Sequence, residues 1–138
     1  ATSREGPQTQ RIPVTDENDV VKARGCGRAL CLQAGCSPSG VVRFTTVGSE
    51  LARNIVQYAG HGEVTLQGRS VSGRMQIEVS AVDEGPGIPN LDEILAGRYR
   101  SRQGLGKGLT GSKQIMDEFD IQTQPGKGTK VVARMFAR

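Results

Sequence analysis

An acidic residue followed by alternating glycines stands near the middle of the chain, in the sequence DEGPG at residues 83–87. Apolar and polar residues alternate over residues 75–82, which predicts a β-strand. The carboxylate of Asp83 is therefore expected at the end of that strand, facing a cavity, where it can accept a hydrogen bond from an amine. Gly85 and Gly87 permit backbone conformations that other residues avoid and let the chain pass close to a ligand. This stretch predicts a nucleotide pocket, although Gly and Pro also mark ordinary turns.

Length and composition favour one domain. A chain of 138 residues can bury roughly two thirds of its unfolded surface in a single core. Residues 1–10 are polar, with Gly and Pro among them, and predict a flexible terminus before one domain that spans 11–138. No run approaches the ~18 apolar residues of a membrane-spanning helix, and the first fifteen residues do not resemble a signal peptide. We therefore expect a cytoplasmic protein without membrane contacts.

The predicted elements indicate an α+β fold. They are a strand at 12–14, a helix capped at 15 or 16 that runs to 34, a helix at 38–59, strands at 63–67 and 75–82 joined by a turn at 68–74, a short helix at 91–96, a helix at 109–118, and strands at 120–124 and 129–136. This order predicts a two-layer α/β sandwich with helices on one face of a mixed, mostly antiparallel sheet. Helical spacing predicts that the first two helices bury a set of apolar residues that includes Val20, Val21, Leu30, Cys31, Leu32, Val41, Val42, Phe44, Val47, Leu51, Ile55 and Tyr58.

Glu50 and Asn54 are four residues apart in the second predicted helix. Their side chains therefore emerge from one face of the helix, a single turn apart. A carboxylate can orient or deprotonate a nucleophile, and an amide oxygen is a neutral ligand suited to Mg²⁺ that triphosphate oxygens already hold. The pair predicts a base beside a magnesium ligand, although solvated Glu and Asn are common at this spacing.

Three alternating glycines, Gly104, Gly106 and Gly108, precede the predicted helix at 109–118. Successive backbone N–H groups of such a segment can bind phosphate at a helix N-terminus, and Lys107 adds a cation. Neither Gly-Lys pair of the chain is followed by Ser or Thr, which excludes a P-loop. No apolar strand precedes the glycines, which excludes a Rossmann site, and the VAIK, HRD and DFG motifs of eukaryotic-type kinases are absent.

The net charge of +4 is too small to indicate nucleic-acid binding by itself. Residues 97–113 nevertheless carry five basic side chains and no acidic one. Tyr99 is the only aromatic residue among them, too few to stack successive bases of a single strand. We expect this charge to meet the phosphates of a small ligand or an acidic partner, and we expect no nucleic-acid partner.

These motifs occur in the order and at the spacing of one family. Over about residues 11–138 the chain resembles the GHKL (Bergerat-fold) ATP-binding domains. The last of their motifs is a Gly-Thr pair, which corresponds to Gly128-Thr129. By this resemblance Glu50 is the general base, Asn54 is the magnesium ligand, and ATP and Mg²⁺ are the cofactors. The resemblance assigns the other contacts to Asp83 at the adenine amine, to Gly85 and Gly87 at the base of the ATP lid, to Gly104, Gly106, Lys107 and Gly108 around the phosphates, and to Thr129, which contacts adenine through water.

Within that family the chain is similar to the RsbT-type switch kinases of the bacterial stressosome. The similarity rests on the sequences SELARN at 49–54, GLGKGL at 104–109 and MDEF at 116–119. It implies a single-domain serine protein kinase that phosphorylates STAS-domain proteins (RsbS- or RsbR-like) and then activates a serine phosphatase by binding its N-terminal region (RsbU-like). Tyr58 stands where many relatives carry His, and Lys107 interrupts the plainer glycine run of other members.

Chain length favours a small kinase over other members of the family. A sensor histidine kinase needs a dimerisation domain that carries the phosphorylated His, and a gyrase- or MutL-like ATPase needs a transducer domain. Neither fits within 138 residues. Two alternatives remain open at this point: an RsbW-like anti-sigma factor kinase, which shares the chemistry, and a nucleotide-gated binding module that regulates a partner without phosphotransfer.

Overall fold

The computed structural model describes residues 9–87 and 105–138, and for 105–108 it describes the backbone only. The elements are β1 (Thr9–Val14), α1 (Glu17–Ala34), α2 (Pro38–Asn54), a π-helical turn (Ile55–Ala59), β2 (Gly62–Val71), β3 (Arg74–Asp83), α3 (Leu105–Ile115), β4 (Glu118–Gln124) and β5 (Gly128–Phe136). Five predictions lie wholly or mostly outside the described residues: the flexible terminus up to residue 8, the helix at 91–96, the basic stretch that begins at 97, Gly104, and the side chain of Lys107.

The strands form one sheet in the order β1-β2-β3-β5-β4, and every described pair is antiparallel. Helices α1 and α2 pack against each other and against strands β2 and β3. The predicted α+β fold is confirmed. The sheet is antiparallel throughout its described strands, where the sequence predicted a mixed, mostly antiparallel sheet. No helix of the described chain is long and apolar enough to cross a membrane.

The core lies between the helices and one face of the sheet. Every second residue of a strand points towards the helices because successive side chains alternate between the two faces of the sheet. The largest fully buried side chains come from every layer: Ile12, Val14, Val20, Phe44, Val47, Leu51, Ile55, Leu66, Ile77, Leu109 and Met135.

The predicted caps of α1 and α2 are confirmed. Asp16 and Asp19 form a capping box at the start of α1, with Asp16 Oδ1 accepting the N–H of Asp19 at 3.2 Å and Asp19 Oδ2 accepting the N–H of Asp16 at 3.3 Å. Gly35 ends α1 with a positive φ of 88°. Ser37 caps α2 through its Oγ, which accepts the N–H of Gly40 at 3.2 Å.

Three apolar residues that were predicted to be buried are exposed. Val21, Leu32 and Val42 expose 63%, 54% and 63% of their surface. Helix α1 meets the core through Val20, Ala23, Gly27 and Cys31, of which Val20 and Cys31 were predicted to be buried. Each residue rotates the helix by about 100°, so a neighbour of a buried residue can point to solvent. The prediction for these three residues was wrong because each has an apolar neighbour in the sequence, and the sequence alone does not show which residue of such a pair meets the core.

The hairpin between β2 and β3 is tighter than predicted. The strands extend to Val71 and resume at Arg74. Only two residues form the turn, and both have positive φ, 53° at Ser72 and 79° at Gly73. Two such residues match the twist of the flanking strands, so the ladder continues through most of the predicted turn at 68–74. Strand β1 likewise begins at Thr9, two residues earlier than the predicted domain boundary, because its partner β2 is long enough to pair with it.

Helix α3 begins at Leu105 and ends at Ile115, whereas the prediction was 109–118. The glycines at 106 and 108 therefore lie in its first turn and not in a preceding loop. The N–H groups of a first helical turn have no acceptor within the helix, so this turn still presents donors that the helix itself does not use. Tertiary packing accounts for the early start, since Leu109 is buried with 1% exposure and helices depend mainly on such packing.

Asp117 anchors the last residues of β5. Its carboxylate accepts hydrogen bonds from Arg138 Nη1 at 3.1 Å, from Arg138 Nη2 at 2.9 Å and from the Phe136 N–H at 2.8 Å. The Arg138 hydrogen bonds, followed by the Phe136 N–H, hold the pKa of Asp117 below its usual value. The MDEF sequence thus has a structural role at this point of the fold.

We expect this carboxylate to make the free energy of unfolding depend on acidity. Because the pKa of Asp117 is lowered in the folded state, its contribution is complete above about pH 4 and is lost as the pH falls through the folded-state pKa. Between pH 7 and pH 3 the free energy of unfolding, measured with denaturant, should fall less for Asp117→Asn than for the wild type. Equal losses in the two proteins would contradict the assignment.

Candidate nucleotide-binding site

Helix α2 does not end as a regular helix. The residues after Asn54 form a π-helical turn, in which the N–H of Gly60 donates to the carbonyl of Ile55 at 2.8 Å. Gly60 then leaves the turn with a φ of 87°. A single π-turn inside a helix often marks a functional position. The sequence predicted one continuous helix to Tyr58 or Ala59. The chain does remain helical to Ala59, but its wider π-helical turn was not predicted.

A cavity opens beside this turn, at the end of the sheet. Three polar side chains from separate elements line it, namely Asn54 from α2, Asp83 from β3 and Thr129 from β5. Its remaining lining is mostly apolar and comprises Leu51, Ile55, Tyr58, Ala81, Pro86, Gly87, Leu109 and Val131. An apolar cavity with a few convergent polar groups is typical of a small-molecule site.

Asp83 is the last residue of β3 and is half-buried at this cavity. Its Oδ1 accepts the N–H of Gly85 at 2.9 Å. Its Oδ2 has no hydrogen-bond partner within the described ranges, so this oxygen can accept a bond from a ligand amine. Thr129 stands directly opposite Asp83 in the β3–β5 register, and its hydroxyl lies 3.0 Å from that of Thr123.

Three glycines allow the backbone segments around Asp83 to approach one another. A Cβ at Gly85 would lie 2.7 Å from the Cβ of Ala59, and one at Gly87 would overlap the carbonyl oxygen of Gln124. A Cβ at Gly128 would overlap the carbonyl oxygen of Asp83. The positive φ values of 81° at Gly87 and 98° at Gly128 add a conformational requirement.

The turn between β4 and β5 is joined to the same motif. The N–H of Gly126 donates to the carbonyl of Pro86 at 2.7 Å. The DEGPG sequence and the Gly-Thr near the chain's end thus form one wall of the cavity.

Gly128→Ala is expected to destabilise the protein by at least about 3 kcal/mol, because it combines a steric overlap with a strained backbone. Gly126→Ala is the matched control: its φ is also positive, 78°, but open space surrounds its Cβ position. We expect that control to cost only about 1 kcal/mol. Urea unfolding of both variants measures the difference, and similar values would mean that the close approach at Asp83 is not needed.

Glu50 lies one turn before Asn54 on α2, as predicted, but it is not among the residues that line the cavity. Its Oε1 accepts a hydrogen bond from Arg53 Nη1 at 2.9 Å, and 34% of its side chain is exposed. Arg53 Nε also lies 3.9 Å from Glu17 Oε1 on α1. Sequence reasoning missed Arg53, although its spacing of three residues from Glu50 is typical of a helical ion pair.

The described residues contain no group of three or more side chains that could hold a metal ion by themselves. Asn54 alone offers an amide oxygen at the cavity. Magnesium keeps several waters and often uses only one or two protein ligands beside the phosphates of its nucleotide. A single amide oxygen therefore fits an ion that arrives with a triphosphate and does not fit an independent metal centre.

The glycines predicted to bind phosphate are only partly described. Gly106 and Gly108 lie in the first turn of α3, where free N–H groups and the helix dipole favour an anion. Leu109, in the next turn, lines the cavity, so this end of α3 borders the site. Gly104 and the side chain of Lys107 are outside the described residues.

Comparisons with known proteins agree with this geometry. The family model for histidine kinase-, DNA gyrase B- and HSP90-like ATPases matches residues 40–138. The chain belongs to this ATPase family. The matched span contains α2 from Gly40 onward, the cavity and every predicted site residue.

Two relatives indicate which kind of protein within the ATPase family this chain resembles. The chain is 36% identical to the serine/threonine-protein kinase RsbT of Bacillus subtilis (strain 168) over 127 residues, which are 92% of this chain and 96% of that protein. It is 32% identical to an anti-sigma F factor of Thermoanaerobacter sp. (strain X514) over 115 residues, 79% of each chain. The predictions of a GHKL domain and of an RsbT-like serine/threonine-protein kinase are confirmed, and this membership implies the use of ATP.

A solved structure shares the fold of this ATPase domain. It contains the RsbU and RsbW domains of a Mycobacterium tuberculosis protein and superposes with a TM-score of 0.65 at 16% identity. The match covers 97% of this chain and 33% of that one. At this identity the similarity shows the fold alone.

The apolar walls of the site were not predicted as site residues. Leu51, Ile55 and Tyr58 recur at helical spacing, which identifies them only as core residues. Leu109 and Val131 likewise carry no local signal that separates a pocket wall from the core. The position of Leu109 directly after the glycine sequence was the one available indication.

Proposed function

We propose that this ATPase-family protein transfers the γ-phosphoryl group of ATP to a serine of a STAS-domain protein and acts as a partner switch. The observation that carries the proposal is the cavity in which Asn54, Asp83 and Thr129 converge, at the end of the helix that carries Glu50. No single sequence segment could assemble this set, and each member has a distinct part in binding or using a nucleotide.

Adenine would bind in the apolar part of the cavity. The Oδ2 of Asp83, which has no partner among the described residues, would accept a hydrogen bond from the adenine amine, while its Oδ1 stays bonded to Gly85. Thr129, opposite Asp83, would contact the base through a water. Gly85 and Gly87 would form the base of the lid over the nucleotide, since both lie where a side chain would collide with a neighbouring segment.

The phosphates would lie towards the start of α3. The N–H groups of Gly106 and Gly108, with those of Gly104 and the cation of Lys107, would bind their oxygens. Asn54 would hold the magnesium ion through its amide oxygen, and the bound ion would offset part of the charge on the β- and γ-phosphates.

Glu50 would act as the base. The serine O–H proton would pass to the Glu50 carboxylate, the serine oxygen would bond to the γ-phosphorus, and the bond to the β,γ-bridging oxygen would break to release ADP. Arg53 holds one oxygen of this carboxylate at 2.9 Å and would fix its orientation. The exposed third of the Glu50 side chain suits a substrate that is itself a protein.

The partners we propose follow from the RsbT relative and are not visible in the chain itself. They are STAS-domain proteins of the RsbS or RsbR type as substrates and the N-terminal region of an RsbU-like serine phosphatase as the target of the released kinase. Residues 11–138 would act as one domain in the cytoplasm, without nucleic-acid or membrane partners.

Label transfer from γ-labelled ATP with Mg²⁺ to a purified STAS-domain protein from the same genome tests this proposal. We expect label that is stable to acid on the partner, as phosphoserine is. Acid-labile label would instead indicate phosphohistidine. ATP binding without any transfer to such proteins would remove the kinase proposal and favour a nucleotide-gated binding module.

The similarity to anti-sigma F factors supports a second candidate, an RsbW-like anti-sigma factor kinase. The chemistry at Glu50 would be the same, but the chain would also bind a sigma factor. Titration with purified sigma factors of the same cell distinguishes the two, because only the second candidate forms a nucleotide-dependent complex with one of them.

A further inference from the structure

The outward side of the helical layer carries three apolar side chains that the described residues leave uncovered. Val21 and Leu32 on α1 and Val42 on α2 are each more than half exposed. We call the surface formed by these three residues with Arg24 and Arg28 the helical face. These three are the most exposed large hydrophobic residues of the described chain.

Helix geometry places these residues on one side. Val21 and Leu32 are eleven residues apart, which is close to three full turns, and Arg28 lies between them on the same side. Val42 is two residues, or about 200°, from the fully buried Phe44. The helices lie side by side, since Arg24 Nε donates to Ser49 Oγ at 3.1 Å.

The helical face is also basic. No Asp or Glu occurs between Asp19 and Glu50, whereas Lys22, Arg24, Arg28 and Arg43 do. Arg43 acts electrostatically on Asp117. Lys22 likewise acts electrostatically on Asp19, whereas Arg24 and Arg28 have no ion pair with any acid in the described part of the chain. An occupant of this face would therefore gain from negative charge.

The opposite face of the sheet differs in this respect. Its central charges are paired internally: Arg134 Nε lies 2.7 Å from Glu78 Oε1, and Arg134 Nη1 lies 3.1 Å from Glu118 Oε1. Gln67 Nε2 also donates to Glu78 Oε2 at 3.1 Å. These central charges of the sheet are thus paired with one another, whereas Arg24 and Arg28 have no acidic partner among the described residues.

We propose that the helical face is the docking surface for the protein that receives the phosphoryl group. Its occupant is an amphipathic helix of that protein, with an apolar stripe over Val21, Leu32 and Val42 and flanking Asp or Glu residues that meet Arg24 and Arg28. The inference rests on the proposed kinase function. Docking of an amphipathic helix through spaced apolar anchors is a general recognition mode.

The helical face lies close to the proposed base, Glu50. Glu17, one turn before Val21 on α1, lies 3.9 Å from Arg53, and Arg53 in turn bonds Glu50 at 2.9 Å. A protein bound over Val21 is thus within one or two helix turns of the base. Docking there would bring its serine towards Glu50, which lies one helical turn from the cavity-lining Asn54 on α2.

Nucleic acid and membranes fit the helical face less well. It carries no aromatic side chain on which bases could stack, since Phe44 is buried and Tyr58 lines the cavity. Its three aliphatic side chains would contribute little to a phosphate contact. For an interfacial membrane helix, a broad apolar face is needed, and α1 has charged or polar residues on both sides of the strip.

The test measures the affinity and the transfer kinetics of a purified, unphosphorylated STAS-domain protein from the same genome. We compare Val21→Asp/Leu32→Asp and Arg28→Glu with the wild type. A matched control, Arg11→Glu/Met75→Asp, replaces an exposed basic and an exposed apolar residue outside the helical layer. We expect each face variant to raise both Kd and KM for the STAS protein at least tenfold. The kcat, the ATP affinity and the melting temperature should stay within twofold or a few degrees, and the control should match the wild type.

Several results would overturn the inference. One is that the wild type transfers the label and both face variants keep the wild-type KM and Kd for the STAS protein. Another is a wild-type dimer that Val21→Asp/Leu32→Asp converts to a monomer, which would make the face a contact between copies. A third is a loss of binding to duplex DNA or to phosphatidylglycerol vesicles in Arg28→Glu while STAS affinity is kept.

Kinase failure and docking failure are distinguishable. Binding of the STAS protein without label transfer, weakened by the face variants, would refute the kinase proposal and support the docking surface. A wild-type chain that neither labels nor binds STAS proteins would refute both.

Discussion

Glu50→Gln is expected to abolish phosphoryl transfer and to leave ATP affinity within about twofold of the wild type. Loss of a general base typically slows a reaction by about 10²–10⁴-fold. Glutamine keeps the size of the side chain and an oxygen that can accept the Arg53 hydrogen bond, now 2.9 Å long at Glu50. Because Glu50 does not line the cavity, nucleotide binding should not depend on its charge. Single-turnover label transfer and calorimetric titration with ATP measure the two effects.

Glu17→Gln is the matched control for this prediction. Glu17 is also an acid beside Arg53, at 3.9 Å from its Nε, but it lies on α1. We expect its replacement to leave transfer within a few fold of the wild type. A Glu50→Gln protein that loses ATP binding and transfer together would contradict the role of base and would indicate that Glu50 supports the nucleotide site.

Asp83→Asn is expected to weaken ATP binding by about 10–100-fold, because a hydrogen bond to a charged group contributes about 1.5–3 kcal/mol. Asparagine can still accept the Gly85 N–H through its amide oxygen, so the bond now 2.9 Å long at Asp83 Oδ1 has a replacement. The substitution changes the atom that replaces Oδ2. There the NH₂ group of the asparagine would face the adenine amine, so two hydrogen-bond donors would meet. The melting temperature should therefore change little while the Kd for ATP rises.

Glu84→Gln separates this effect from a general loss of negative charge. Glu84 is the next residue, is exposed, and does not line the cavity. We expect its replacement to leave the Kd for ATP unchanged. If both substitutions weaken ATP equally, the contribution of Asp83 is electrostatic and not a specific hydrogen bond to adenine.

Short-range features were accessible from the sequence because they depend on a few neighbouring residues. The cap at Asp16, the left-handed stop at Gly35 and the cap at Ser37 are each set by hydrogen bonds within one turn of a helix. The alternation that ends at Asp83 likewise predicts a strand and the face of each residue on it. The order of these elements was sufficient to predict an α+β fold.

The composition of the site was partly accessible for the same reason. Glu50 and Asn54 share a helix, so a spacing of four residues places them one turn apart in any context. The motif at 83–87 is also local, since Asp83 bonds Gly85 two residues later. By contrast, the helical start at Leu105 was missed because Leu109 packs against distant residues, and such packing can outweigh a poor local propensity for helix.

Tertiary structure alone decided how these pieces meet. The β3–β5 register puts Thr129 opposite Asp83, and the absence of a Cβ at Gly128 lets the backbone of Gly128 approach that of Asp83. The choice of which side of α1 faces the sheet left Val21 and Leu32 in solvent. A periodic pattern specifies that a helix or strand has faces, but contacts between residues far apart in the chain depend on how whole elements pack. The sequence by itself therefore determined the elements, their caps and the residues of the nucleotide motifs, whereas packing decided the cavity and the exposed helical face.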